Sequence, residues 1–312
     1  MAKAVGQRPM TESPLVIVAM LNYNRASDTI ECVRSLRECT YQPLEIVIVD
    51  NGSTDNSLNI LQTEFVDITV ISTGSNLGYT GGINFSLEVV RRKNPTYVLV
   101  INNDTIVQPS FLNLLVEAME RNTTAAAAGG TIYCFHDKTK VWYGGGRLVR
   151  WRGLAVHDKR GSHVSVAESA DVKRVSFISG CLILFRVSSL EMIGKEDERF
   201  FMYLDDIELS SRILSKGFDL LYVPKSIVYH KVLGETESPF KLYYSVRNRL
   251  LLISLMNSGV SELIARLYFL TAIAVKLVVW KFHKPLFYKA ALLGLKDYFR
   301  GDFYRGKGFD FV

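Results

Sequence analysis

Tyr97-Val98-Leu99-Val100-Ile101-Asn102-Asn103-Asp104-Thr105 is a run of branched apolar residues that stops abruptly at two amides and a carboxylate. Apolar character at every position, without alternation, predicts a strand buried on both faces and hence a parallel sheet. In an open α/β sheet the ligand crevice lies beyond the carboxyl ends of the strands, which puts Asn102, Asn103 and Asp104 on its floor. A carboxylate and amide oxygens at that place suit a hard divalent cation holding a diphosphate. The alternative is that Asn-Asn-Asp only turns the chain and caps a helix over residues 109–121.

Working outward, Leu15-Val16-Ile17-Val18-Ala19-Met20 predicts a first buried strand, ending in Leu21-Asn22-Tyr23-Asn24-Arg25. Ser27 or Asp28 is placed to cap a helix that carries Ile30, Val33 and Leu36 at helical spacing. A second strand over residues 44–49 ends in Asp50-Asn51-Gly52-Ser53-Thr54-Asp55, and a helix is expected over residues 57–65. Strand-helix alternation of this kind makes right-handed parallel crossovers the expectation. A short strand over residues 68–71 then leads into Gly74-Ser75-Asn76-Leu77-Gly78-Tyr79-Thr80-Gly81-Gly82-Ile83-Asn84 and a helix to Arg92. These glycines would let backbone N–H groups approach a phosphate at a helix N-terminus. The spacing is not that of the dinucleotide fingerprint.

Residues 129–173 read as an irregular or hairpin-rich excursion over the cleft, and residues 175–186 as a return to buried strand, with Gly180 a close-approach point. Asp205 and Glu208 have capping-box spacing ahead of a helix that closes at Gly217, which leaves Asp206 in the first turn, where the helix dipole keeps a carboxylate ionised. An ionised carboxylate in an aromatic-rich wall is what a general base needs.

Hydrophobic content of 48% and charged content of 22% describe a folded globular chain rather than a disordered one. The net charge of +6 is uneven: from Lys241 onward 12 Lys and Arg face 4 Asp and Glu, so the body is slightly acidic. That distribution argues against nucleic acid and for a membrane surface bound by the tail. Cys32, Cys39, Cys134 and Cys181 form no C-x-x-C pair and residues 1–14 resemble no secretion signal, so free thiols in a cytoplasm are expected.

Taken in order, Asn22-Tyr23-Asn24, Val49-Asp50-Asn51-Gly52-Ser53-Thr54-Asp55, Asn76-Leu77-Gly78-Tyr79-Thr80-Gly81-Gly82-Ile83-Asn84, Asn102-Asn103-Asp104, Ser179-Gly180-Cys181, the run from Asp197 to Leu209, and Tyr244-Ser245-Val246-Arg247-Asn248 resemble an inverting family 2 glycosyltransferase of the GT-A type, closest to its bacterial rhamnosyltransferase-like branch. The resemblance implies an α/β GT-A fold with a Rossmann-like, mostly parallel sheet and a helical C-terminal segment. It covers a catalytic domain over residues 15–248, while composition and charge give a flexible lead over residues 1–14 and a helical, basic, membrane-surface-associating segment over 249–312. A dTDP- or UDP-linked sugar would lie at the strand ends, with Asp50 on the base or ribose, Asp104 holding Mn2+ or Mg2+ on the diphosphate, His230 a second metal ligand and Arg247 assisting the diphosphate. Asp206 would be the catalytic base, supported by Gly180, Asp205 and Glu208. The usual D-x-D reads Asn102-Asn103-Asp104 here, and the usual E-D-x-D reads Asp205-Asp206-Ile207-Glu208. The best single reading is transfer of L-rhamnose to a bacterial cell-surface glycan or lipid-linked precursor at the inner face of the membrane, by a monomer or homo-oligomer. The competing readings are a nucleotidyltransferase and a non-catalytic nucleotide-sugar-binding protein.

Overall fold

Strands β1 (Val16–Asn22), β2 (Leu44–Asp50), β3 (Thr69–Ser72) and β4 (Tyr97–Asn102) run parallel, and α1 (Ala26–Arg37), α2 (Ser57–Glu64) and α3 (Gly78–Arg91) connect them. This is the computed structural model of the chain, and it describes residues 13–163, 171–231 and 237–306. Most of the expected lead-in, residues 1–12, lies outside the described residues. Val16, Val18 and Met20 enter one core layer with Leu99 and Ile101, while Ile17 and Ala19 enter the other with Val98 and Val100. Burial on both faces is why these strands carry unbroken apolar runs.

Register aligns the strand ends. Asn22 pairs with Asp50, Leu21 with Asn102, and Asp50 with Ser72, so the polar residues that end the strands share one edge of the sheet. Beyond β4 come β5 (Thr105–Val107), α4 (Phe111–Arg121), β6 (Ala125–Cys134), the hairpin strands β7 (Asp137–Tyr143), β8 (Gly146–Val149) and β9 (Leu154–His157), then β10 (Lys173–Val175), β11 (Leu182–Arg186), α5 (Val187–Ile193), α6 (Asp205–Ser215) and β12 (Asp219–His230). The main sheet reads β10-β12-β6-β11-β4-β1-β2-β3, with β5 on β12 and β7 on β6.

Four expectations need correcting. The opening strand β4 is parallel to β1 but antiparallel to β11. The excursion begins only at β7, because Gly129 and Gly130 belong to the buried strand β6. A Cβ on Gly130 would lie 2.3 Å from the Ser226 carbonyl oxygen, so close strand packing requires glycine there. Residues 164–170 of the excursion lie outside the described residues. Residues 175–186 are not one strand: β10 and β11 sit apart in the sheet, separated by β12 and β6. Helix α1 follows Arg25 rather than Ser27 or Asp28, which already lie within it.

The tail forms α7 (Pro239–Met256), α8 (Gly259–His283) and α9 (Pro285–Arg300). The expected boundary at 248/249 falls inside α7, whose Tyr243, Tyr244, Val246, Arg247 and Leu250 are buried. Close packing of α7 on α9 depends on Gly294, where a Cβ would meet the Tyr243 carbonyl oxygen at 2.7 Å.

Candidate active site

A cleft of about 240 Å³ opens at the carboxyl edge of β1, β2 and β4, lined by Asn22, Tyr23, Asn51, Asn76, Gly78, Asn102, Asn103 and Asp104. Those eight were expected there from sequence. Leu21, Tyr79, Ile83, Ile101 and Met202 complete the lining.

The remaining expected donor residues build the rim from behind. Asp50 is almost wholly buried: its Oδ2 accepts from Asn22 Nδ2 at 2.9 Å and Ser53 Oγ at 2.5 Å, and its Oδ1 from the Ser53 amide at 3.0 Å. It therefore folds the loop after β2 and does not line the cleft. Asn24 takes the Thr54 amide at 2.8 Å, and Arg25 lies outside the lining, 3.7 Å from Asp28. A Cβ on Gly52 would strike the backbone of Ser75, and one on Gly82 would meet Leu21 Cδ1 at 2.8 Å. Gly81 and Gly82 thus bring α3 close to its own neighbours rather than to a ligand. Asn84 donates to the Glu196 carbonyl at 3.0 Å and to Glu198 Oε1 at 2.9 Å, tying α3 to the segment before α6.

The α3 N-terminus is itself occupied. The Phe201 carbonyl accepts the Tyr79 amide at 2.6 Å and the Thr80 amide at 3.3 Å, while Gly78, at φ +75°, leaves room for the Phe201 ring. A phosphate on those N–H groups, as the glycine spacing suggested, would have to displace this carbonyl.

Residues 201–204 are held in an unusual path. Phe201, Tyr203 and Leu204 have φ of 61°, 65° and 66°, sparsely populated for side chains of this size. Asn248 Nδ2 reaches the carbonyls of Phe200, Met202 and Tyr203 at 2.8–2.9 Å. Arg247 is fully buried and gives its protons to the carbonyls of Arg199, Phe200 and Tyr304. Arg247 is therefore a clamp on the loop ahead of α6 and not a diphosphate contact, a correction to the sequence reading. The expected capping box is corrected too, because Leu204 precedes α6 with no side-chain cap. Glu208 instead makes a two-pronged pair with Arg212, with both contacts at 2.8 Å.

Asp206 sits in the first turn of α6, and its Oδ2 accepts the Gly180 amide at 3.0 Å. The carbonyl of the same glycine accepts the Tyr79 hydroxyl at 2.9 Å, so one residue joins the cleft wall to the carboxylate. Burial raises the Asp206 carboxyl above its usual range, while the amides of Gly180 and Ile207 hold it down. Asp205 is pushed further, by burial first and by the neighbouring Asp206 charge second. Glu196 is raised well above the carboxylate range, by burial first and then by the Asp205 and Asp206 charges. Neighbouring carboxyls forced apart in this way leave one ionised among neutral partners near pH 7. Tyr79 was missed as a site residue; its signal was a phenol at the second position of a helix opening on the cleft.

At the other end of the cleft, His230 closes β12 opposite Thr105 of β5 and Cys134 of β6. Its Nε2 lies 2.9 Å from Asp104 Oδ1, yet that buried oxygen receives no aligned hydrogen bond. The pair is an ion pair while the imidazole is protonated, and with His230 neutral the Asp104 oxygen and Nε2 are two ligand atoms that fit Mn2+ or Mg2+, the remaining positions falling to diphosphate oxygens and water. Among the described residues no cluster of three or more His, Cys, Asp and Glu stands in metal-binding arrangement. Trp142 of β7 packs edge-on against His230 with centroids 5.0 Å apart, roofing this end.

The strand ends thus carry one cleft, with Asp206 behind its Tyr79 wall and Asp104 beside His230 at its other end. The glycosyl transferase family 2 profile matches residues 17–194, more than half the chain, and the chain belongs to that family. The N-acetylglucosaminyl-diphospho-decaprenol L-rhamnosyltransferase of Mycobacterium tuberculosis is 25% identical over 229 residues, covering 68% of this chain and 75% of that one. The low-salt glycan biosynthesis hexosyltransferase Agl10 of Haloferax volcanii is 24% identical over 301 residues, 91% of this chain and 88% of its own. The O-antigen chain rhamnosyltransferase WbaN of Salmonella anatum is 23% identical over 221 residues, covering 69% and 65%. In fold the chain is similar to GalNAc-T7, solved with UDP, GalNAc and Mn2+, at a TM-score of 0.60 and 17% identity over 75% of this chain and 48% of that one. The fold is thus GT-A, with a helical C-terminal segment added.

Proposed function

We propose that this glycosyltransferase moves L-rhamnose from dTDP-rhamnose to a hydroxyl of a bacterial cell-surface glycan or its lipid-linked precursor, with inversion at the anomeric carbon. The observation that carries the reading is the Asp206 carboxylate, which accepts the Gly180 amide directly behind the Tyr79 wall of the cleft and keeps its charge while burial leaves the neighbouring Asp205 and Glu196 protonated. The acceptor hydroxyl gives its proton to Asp206 as its oxygen bonds to the anomeric carbon. The bond from that carbon to the diphosphate breaks, and its electron pair leaves with the nucleotide. Asp104 and His230 would hold Mn2+ or Mg2+, which when bound offsets charge on the leaving diphosphate. Asn76, Asn102 and Asn103 line the place of the sugar nucleotide, Asn51 holds the Leu77–Gly78 backbone beside it, and Met202 and Ile83 supply an apolar wall. The names of two relatives support rhamnose, and the decaprenol-linked acceptor of one supports a lipid-linked substrate. A cytoplasmic enzyme attached to the inner membrane face through its basic tail accords with such an acceptor.

The test is incubation with dTDP-rhamnose, UDP-glucose and UDP-N-acetylglucosamine in turn, with Mn2+ and a lipid-linked acceptor, following nucleotide release and the anomeric configuration by NMR. Rhamnosyl transfer with an inverted product is expected. Retained configuration, or turnover of a UDP-sugar in preference, would overturn the assignment.

A further inference from the structure

Helix α8 runs unbroken for 25 residues and is apolar on two opposite sides. Ala265, Phe269, Ile273 and Trp280 are buried against the rest of the tail. Across the helix, Ile264, Leu267, Val275, Val278 and Phe282 recur at steps of three, eight, three and four residues and are each more than half exposed. An apolar helix of this length with only one side covered needs an apolar partner for the other.

We infer that this outer stripe of α8, extended by Trp151, is a docking face for an anionic lipid surface, with the helix lying in the plane of the interface. The inference deepens the membrane reading given above and rests on it. Trp151 forms the tip between β8 and β9, half exposed, with its ring 5.0 Å from that of Tyr268 on α8. The tip is fixed there by Arg249 Nε on the Arg152 carbonyl at 2.9 Å and by Asn257 on the Arg150 carbonyl at 3.1 Å. Charge selects the occupant. Lys281, Lys284 and Lys289 are exposed where α8 turns into α9, whereas Glu262 is paired with Arg266 and Asp297 accepts the buried Tyr243 hydroxyl. Cations and amphipathic aromatics flanking an apolar stripe complement anionic headgroups over an acyl boundary. A second copy would instead bring the same positive excess to the contact. By length and composition α8 could cross a bilayer. Spanning would strip its inner side from α7 and α9, where Arg266 also lies over the Tyr298 ring. The same tip leads through β9 to His157, which packs on Trp142 above His230, so docking would bring the roof of the cleft to the lipid surface.

The full chain is floated with vesicles of phosphatidylcholine alone and with rising phosphatidylglycerol, beside Leu267→Ser/Val275→Ser/Val278→Ser and Lys281→Glu/Lys284→Glu/Lys289→Glu variants. Binding is expected only with anionic lipid, at least about ten-fold weaker in either variant, lost in high salt, and released by alkaline carbonate. Brominated lipid should quench the unsubstituted protein and quench Trp151→Phe less, which needs no stripe variant to fold. Absence of binding at every composition, carbonate resistance, or a dimer in sedimentation that the serine variant splits would each overturn the inference. Rhamnosyl transfer to a soluble acceptor analogue, measured in parallel, is expected to persist in both variants. Its absence in the parent protein would count against the proposed transferase activity and not against docking.

Discussion

Tyr79→Phe removes one hydroxyl and keeps the ring that lines the cleft. The hydroxyl bonds the Gly180 carbonyl at 2.9 Å, and the Gly180 amide bonds Asp206 at 3.0 Å. Burial and the surrounding acidic groups hold the Tyr79 phenol well above its usual range, so it remains a donor across the working pH. Losing a buried hydrogen bond of this kind costs about 1 kcal/mol and orphans a carbonyl. If about 1 kcal/mol of that is felt as a looser Gly180 amide, Asp206 loses stabilisation of its charged form by roughly 0.7 pKa units, at 1.36 kcal/mol per unit. Asp206 stands at about 6 in the parent, so the acid limb of kcat/KM should rise from there toward the upper sixes. Glu196, Asp205 and Tyr143 interact with the same carboxylate and are unchanged in the variant. At pH 6 the variant should therefore lose about three-fold more activity than at pH 8, where both proteins are ionised. The assay is the pH profile of rhamnosyl transfer between pH 5 and 9. An equal loss at every pH, with the limb unmoved, would show that the hydroxyl serves the fold alone.

Three further outcomes follow from the same geometry. Asp205 keeps its proton to about pH 8 when folded, whereas an unfolded carboxyl releases it near pH 4, so folding stability declines as pH rises between the two. Asp205→Asn should accordingly leave Tm unchanged near pH 4 and raise it at pH 8, by an amount corresponding to about 1–3 kcal/mol; an equal Tm shift at both would contradict this. Arg247→Met should lower Tm sharply, because three carbonyls lose a buried donor, and leave donor KM unchanged in the folded protein. A raised KM at unchanged Tm would restore Arg247 as a diphosphate contact. Asp104→Ala should weaken Mn2+-dependent donor binding in calorimetry more than Asn102→Ala, since only Asp104 brings a full charge; equal donor affinity of the parent with and without EDTA would remove the metal from the account.

The parallel half of the sheet is legible because strands buried on both faces must be apolar throughout, and their polar ends mark the cleft without further information. Strand β6 is not legible. Its Ala125-Ala126-Ala127-Ala128-Gly129-Gly130 opening carries neither periodicity nor bulk, being cut to the space left by Ile178 and Ser226. At the site, side chains whose partners are other side chains at the strand ends could be anticipated, as with Asp104 and His230. Those whose partners are carbonyls of a distant loop could not. Arg247 reads as a ligand contact because a guanidinium fits a diphosphate equally well, and only the path of residues 200–204 reveals what it and Asn248 hold. The misplaced cap has a similar origin: capping-box spacing was present, but a left-handed Leu204 and the pull of Arg212 on Glu208 took precedence.

The central claim is that Asp206 is the base of an inverting transfer. Asp206→Asn keeps the side-chain oxygen that accepts the Gly180 amide but cannot take a proton. Donor affinity measured by calorimetry should stay within about two-fold of the parent, while single-turnover transfer falls by about 10²- to 10⁴-fold. Transfer at near-parental rate by a variant that binds donor normally would contradict the account and move the base to Asp205 or Glu208.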